Sequence, residues 1–199
     1  MKVNLQRIKE TLHALNEFGY TDKGMNRIAY SDEEQAALRY LIKLMEEEGL
    51  DVHIDPIGNV IARREGKQAH LPAVACGSHI DTVYDGGQYD GTVGVIAGLE
   101  VIRLLNERNI TTEHPIELII FACEESARFG VATIGSKAMT GLVTKEELAR
   151  LSDRNGMSFF EALEAQGLGF NDVMEVVRDE KELKAFYELH VEQGIVLEH

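Results

Sequence analysis

Two near-continuous apolar runs limit what this chain can fold into: residues 72–76, inside LPAVAC, and residues 116–123, IELIIFAC. A strand that is apolar along its whole length is covered on both faces, which is the condition of a central strand in an α/β sheet. Between the runs lies GVIAGLEVIRLLNERN, whose spacing predicts a helix. Strand, helix, strand implies a parallel crossover. The expected fold is therefore α/β, a mostly parallel sheet flanked by helices.

The rest of the chain is consistent with this frame. Leu5, Ile8, Leu12 and Leu15 recur at helical spacing, as do Ala37, Leu38, Leu41, Ile42 and Met45. Ser31 and Glu34 have the spacing of a capping box, predicting a clean start to that second helix. Residues 51–55 (DVHID) and 59–63 (NVIAR) alternate around a Pro-Ile-Gly turn, as in a half-exposed hairpin. Short helical pieces are expected in TIGSKAMTG, TKEELARL and SFFEALEAQG, and a last strand in KAFYELHVEQG, beginning near Lys184 and containing His190. No repeat, low-complexity segment or linker interrupts the 199 residues. With 44% apolar and 27% charged residues, 18 Gly and 3 Pro, the composition is that of one globular domain.

Charge excludes one class of partner. Thirty-four acidic against 20 basic residues give a net charge of −14, so a phosphate backbone finds no basic surface and nucleic acid is not expected to bind. The N-terminal stretch is amphipathic rather than signal-like and no run of eighteen apolar residues occurs, so a cytoplasmic protein without membrane contact is expected. Cys76 and Cys123 end apolar runs and read as reduced, packed thiols.

The chemistry concentrates in GSHIDTVYDGGQYDG, residues 77–91, directly behind the first apolar run. The loop is too acidic to cradle phosphate, and DGTVGVIAG lacks the G-x-G-x-x-G of a nucleotide site. In an open α/β sheet, ligands bind beyond the carboxyl ends of the strands. His79 and Asp81 follow one such end, Glu124 and Glu125 another, His190 lies in the last strand, and Asp90 opens the helix. Singly, each has an ordinary reading as a turn residue, a cap or a hydrogen-bonded histidine. Together they are harder to dismiss. Adjacent glutamates at the end of a buried strand repel and desolvate one another unless a cation lies between them or one takes a proton. His and carboxylate without Cys-x-x-Cys pairs suit Zn, Mn, Co or Ni.

Four segments, GSHIDTVYDGGQYDGTVGV, FACEESARFG, IGSKAMTG and ELHVEQGIVLE, resemble in order the motifs of the hydantoinase/carbamoylase group of amidohydrolases within the M20 peptidase-like family. The resemblance implies a three-layer, zinc-exopeptidase-like catalytic domain and two divalent metal ions. It makes His79 a metal ligand, Asp90 the carboxylate shared by both ions, Glu125 and His190 further ligands, and Glu124 the general base. Asp81 would hydrogen-bond the His79 imidazole, and Gln193 would contact substrate. Glycines 86, 87 and 91 would let His79 and Asp90 reach ions about 3.5–4 Å apart. A cis Asp90–Gly91 peptide is also implied. Cys123 stands where the group usually carries a polar residue and Ser126 where many members carry Gly.

The same resemblance makes residues 1–199 the N-terminal portion of an incomplete catalytic domain. The inserted dimerisation or lid domain, the last metal-binding His and an Arg for the substrate carboxylate would lie elsewhere, and the complete enzyme would be a homodimer. The expected reaction is hydrolysis of a ureido or linear amide C–N bond in a small molecule, N-carbamoyl-L-amino acids first, with allantoate or β-ureidopropionate as alternatives. A catalytically silent metal- or partner-binding domain is the competing reading. This chain alone is expected to have little activity, and His199 is not counted as a ligand.

Overall fold

A computed structural model describes residues 2–169 and 173–198; the setting-aside of His199 as a ligand concerns a residue outside them. Helix α1 spans Leu5–Asn16 and is followed by a two-residue ribbon, β1 (Tyr20–Thr21) and β2 (Gly24–Met25). Helix α2 (Asp32–Glu47) leads to β3 (Asp51–Ile54), β4 (Val60–Arg64) and β5 (Ala73–His79). Then come α3 (Thr92–Glu107), β6 (Ile116–Phe121), α4 (Ile134–Met139), α5 (Lys145–Leu148), α6 (Phe159–Ala165) and β7 (Leu183–Tyr187).

Five strands form one sheet in the order β3-β4-β6-β5-β7. The pairs β5–β6 and β5–β7 are parallel, whereas β4 runs antiparallel to both β3 and β6, so β4 alone opposes the other four. The crossover β5–α3–β6 joins adjacent parallel strands, as the two apolar runs predicted. Successive side chains point to opposite faces of the sheet, and both faces are covered. Val60, Ala62, Leu118 and Ile120 face α1, α2 and α3, packing on Leu15, Leu41, Met45, Val95 and Leu99. Ile61, Ala75 and Ile119 face the other way, against Met139 of α4. This is a helix–sheet–helix sandwich.

Three local expectations are revised. β4 is not half exposed: Val60, Ile61 and Ala62 are all buried, because β4 lies inside the sheet and β3 takes the exposed edge. The last strand ends at Tyr187, so His190 lies beyond it rather than in it. Only half of the capping box forms. Ser31 Oγ accepts from Glu34 N–H at 3.2 Å, but the Glu34 carboxylate accepts from the backbone N–H of Tyr30, one residue further out. Burial, reinforced by the charge of Asp81, raises the Glu34 pKa from 4.5 to about 8.

The loop from His79 to α3 turns on a single glycine. Of Gly86, Gly87 and Gly91, only Gly91 has positive φ, at 63°, with ψ −45°. Thr92 N–H donates to Asp90 C=O at 2.6 Å, which makes Asp90–Gly91–Thr92 a γ-turn of the rare positive-φ kind. The Asp90–Gly91 peptide is trans, since no cis bond occurs among the described residues; the sharp reversal comes from Gly91 φ instead. A Cβ on Gly91 would stand 2.5 Å from the His79 ring and from its carbonyl oxygen.

Two outcomes are expected. Gly91→Ala combines strained φ with a backbone clash, so it should destabilise the fold by more than about 1 kcal/mol and displace the His79 ring; an unchanged urea midpoint contradicts this. For Glu34, the folded state keeps its proton to about pH 8 while the unfolded chain releases it near 4.5. The resulting stability is fully present below pH 4.5 and is lost as pH rises through 8, by up to about 1.4 kcal/mol per unit of difference. Urea midpoints of Glu34→Gln should therefore vary less between pH 5 and 8 than those of the parent; equal slopes rule out a proton on Glu34.

Candidate metal centre

The carboxyl ends of β5 and β6 lie side by side, with His79 registered opposite Phe121. His79 is itself the last residue of β5, fully enclosed, and its Nδ1 lies 2.9 Å from the Asp81 carbonyl, to which it donates. That leaves Nε2 facing Asp90 Oδ1 at 3.8 Å and Glu124 Oε2 at 3.6 Å. The tautomer follows from the hydrogen bond, as it does for histidines that bind metal.

Asp81 acts differently from the expected imidazole partner. Its carboxylate is 3.5 Å from His79 Nδ1, but its two oxygens accept from the backbone N–H groups of Glu124, at 3.2 Å, and Glu125, at 2.9 Å. The carbonyl holds the ring and the carboxylate holds the chain after β6. Behind β6 the turn is fixed by α4: the carbonyls of Ala122, Cys123 and Glu124 accept from Gly135, Ile134 and Thr133. Cys123 adopts φ 48° here, and both thiols are free.

On the other side His190 Nε2 lies 3.0 Å from Asp90 Oδ1, its ring stacked on that of His79 with centroids 5.8 Å apart. His190 Nδ1 faces the Val191 carbonyl at 2.8 Å, and Gln193 Nε2 donates to Asp90 Oδ2. Two groups of three result, His79–Asp90–His190 and His79–Glu124–Glu125, each with ligand atoms within 4.8 Å of one another. His79 is common to both and Asp90 belongs to one. Proximity does not separate Glu124 from Glu125.

The donor set fits a divalent cation. Ligand atoms about 2.1 Å from one tetrahedral ion stand about 3.4 Å apart, and the 3.0–3.8 Å separations here bracket that value. Asp90 Oδ1 is buried without a hydrogen-bond partner. With Nδ1 donating to a carbonyl, an imidazole without a second proton turns a lone pair toward a carboxylate, an arrangement that needs a proton or a cation between them. The electrostatic surroundings make the same demand. Burial lowers the His79 pKa, but Asp81 and Glu124 outweigh it and lift it to about 9. Burial raises both glutamates, Glu125 to about 7, against the opposing pull of His79. Sequence reasoning missed Ser78 and Glu188, whose side chains join at 2.6 Å next to His79 and His190. The only sequence signal for Glu188 is its two-residue spacing from His190.

Comparison with known proteins identifies relatives of this chain. The chain is 41% identical to an N-carbamoyl-L-amino-acid amidohydrolase of Paenarthrobacter aurescens, over 99% of this chain and 48% of the relative. It is 36% identical to the allantoate amidohydrolase of Escherichia coli K12, over 97% and 47%. A hydantoinase/carbamoylase family amidase from Burkholderia multivorans superposes with a TM-score of 0.90 at 38% identity, covering 99% of this chain and 47% of that one. The chain spans about half the length of the curated relatives it matches. The sequence profile of peptidase family M20/M25/M40 matches residues 75–199, the stretch that carries most of β5, the glycine turn, the paired glutamates and His190, and the chain belongs to that family.

Proposed function

We propose that this chain forms the N-terminal portion of the catalytic domain of a metal-dependent amidohydrolase that cleaves a ureido or linear amide C–N bond, with N-carbamoyl-L-amino acids as the substrate class. The single observation that carries the reading is that His79, at the end of β5, gathers Asp90 and His190 on one side and Glu124 and Glu125 on the other, each group with its ligand atoms within 4.8 Å of one another. His79, Asp90, Glu125 and His190 would hold two divalent ions, Zn or Mn, Co or Ni. Bound there, such ions supply Lewis acidity toward the scissile carbonyl and a lowered water pKa.

The protein groups divide the remaining work. Glu124 is the general base: it takes the proton of the attacking water and passes it to the leaving amine. Burial raises its pKa, which makes the carboxylate a stronger base. Asp81 transfers no proton; it fixes the His79 ring through its carbonyl and the Glu124–Glu125 backbone through its carboxylate. Gln193, held on Asp90, is placed to hydrogen-bond substrate.

The resemblance of the allantoate amidohydrolase keeps a second substrate class, ureido acids such as allantoate, in play for the same machinery. Choice between them rests with groups outside residues 1–199, as does a homodimer of the complete enzyme. An apolar cavity of about 390 Å³ beside β7, lined by Val74, Cys76, Ala97, Val101 and Tyr187, supports further chain covering this face. No described helix is long and apolar enough to cross a membrane. Two unpaired thiols suit a reducing compartment such as the cytoplasm.

Three measurements test this. Chelator-treated protein titrated with Zn(II) should take up metal, and Asp90→Ala should weaken uptake at least tenfold; equal affinity removes Asp90 as a ligand. The 199-residue chain alone should hydrolyse N-carbamoyl-L-amino acids little or not at all, and full turnover with two tightly held ions contradicts the partial-domain reading. In the complete active enzyme Glu124→Gln should lower kcat by about 10²–10⁴ with metal content unchanged; an unaltered kcat eliminates Glu124 as the base.

A further inference from the structure

The β5–β7 ladder stops with Cys76 opposite Tyr187, and residues 188–198 carry neither helix nor strand. Even so, His190 and Gln193 both reach the Asp90 carboxylate. Backbone pairing to β5 no longer sets where this segment runs, so side-chain contacts must. Ser78 Oγ donates to Glu188 Oε1 at 2.6 Å, in the range of a charge-assisted hydroxyl–carboxylate bond. Ser78 is fully buried and shares with Cys76 the face of β5 that α3 covers, opposite to the face of His79. Next to it, the Leu189 carbonyl rests on Gly94 of α3, where a Cβ would stand 2.4 Å from that oxygen and 2.9 Å from Ser78 Cβ. The strand's departing end is thus pinned on the α3 side, two residues before His190.

We propose that Ser78 and Glu188, seated over Gly94, form a latch that positions His190 against Asp90. Neither residue touches substrate; both act through His190. The proposal rests on the reading of His190 as a metal ligand and concerns how that half of the centre is assembled. The other half does not need the latch. His79 ends a paired strand, and Glu124 and Glu125 are held by Asp81. The hydroxyl has one proton to donate, and Ser78→Ala leaves Glu188 without this donor. Glu188→Ala leaves the buried hydroxyl without an acceptor, while Glu188→Gln keeps an amide oxygen to accept.

The test uses the 199-residue chain and two readouts. In metal-free protein, the stacked rings of His79 and His190 should give a ring-to-ring nuclear Overhauser contact. Ser78→Ala and Glu188→Ala should abolish it in folded protein, and Glu188→Gln should retain it. Glu188 is exposed, so its variants keep the test alive if Ser78→Ala fails to fold. In calorimetric Zn(II) titration, the two alanine variants should weaken one ion about ten- to a hundredfold and leave the other unchanged. Persistence of the ring contact in Glu188→Ala, or its equal loss in Glu188→Gln, overturns the latch whatever the metal does. A parent chain that takes up no Zn(II), with the ring contacts behaving as stated, overturns the metal reading and leaves the latch standing.

Discussion

The Asp81 carboxylate is the contact on which the site depends. It is fully buried, and it ties the loop after β5 to the two backbone N–H groups after β6. A buried anion is costly unless hydrogen-bonded and charge-balanced. Arg27, also fully buried, supplies the positive charge, although burial lowers its own pKa to about 10. Its guanidinium donates to the carbonyls of Ile80, Leu15 and Phe18, and its backbone N–H to Thr82 Oγ1. Segment 80–82 is therefore held from below by Arg27 and from the side by the Glu124–Glu125 turn.

On this support the site is assembled from pieces of unequal rigidity. His79, Glu124 and Glu125 hang from adjacent parallel strands in the middle of the sheet, where neighbours on both sides fix the register. Asp90 is delivered by the Gly91 γ-turn at the start of α3. His190 and Gln193 arrive on a segment outside any strand, along the β7 edge. Local opening is easiest where backbone pairing is missing, so this last piece is the one whose position depends most on side-chain contacts.

What sequence alone determined is what period and spacing encode. Continuous apolarity in residues 72–76 and 116–123, with helical spacing between, allows only covered parallel strands, and β5–α3–β6 follows from it. The sequence also named His79, Asp90, Glu124, Glu125 and His190 as candidates, and the structure brings them into two groups that share His79. Tertiary structure decided what depends on partners far along the chain. Asp81 turns its carboxylate to residues 43 and 44 positions away, and Glu188 meets Ser78 across 110. Glu34 caps Tyr30 instead of Ser31, β7 stops before His190, and Gly91 reverses the chain through φ with a trans peptide. Apart from the spacing of Glu188 from His190, these leave no local signature. The long-range contacts of Asp81 and Glu188 are known only when the distant segments have come together.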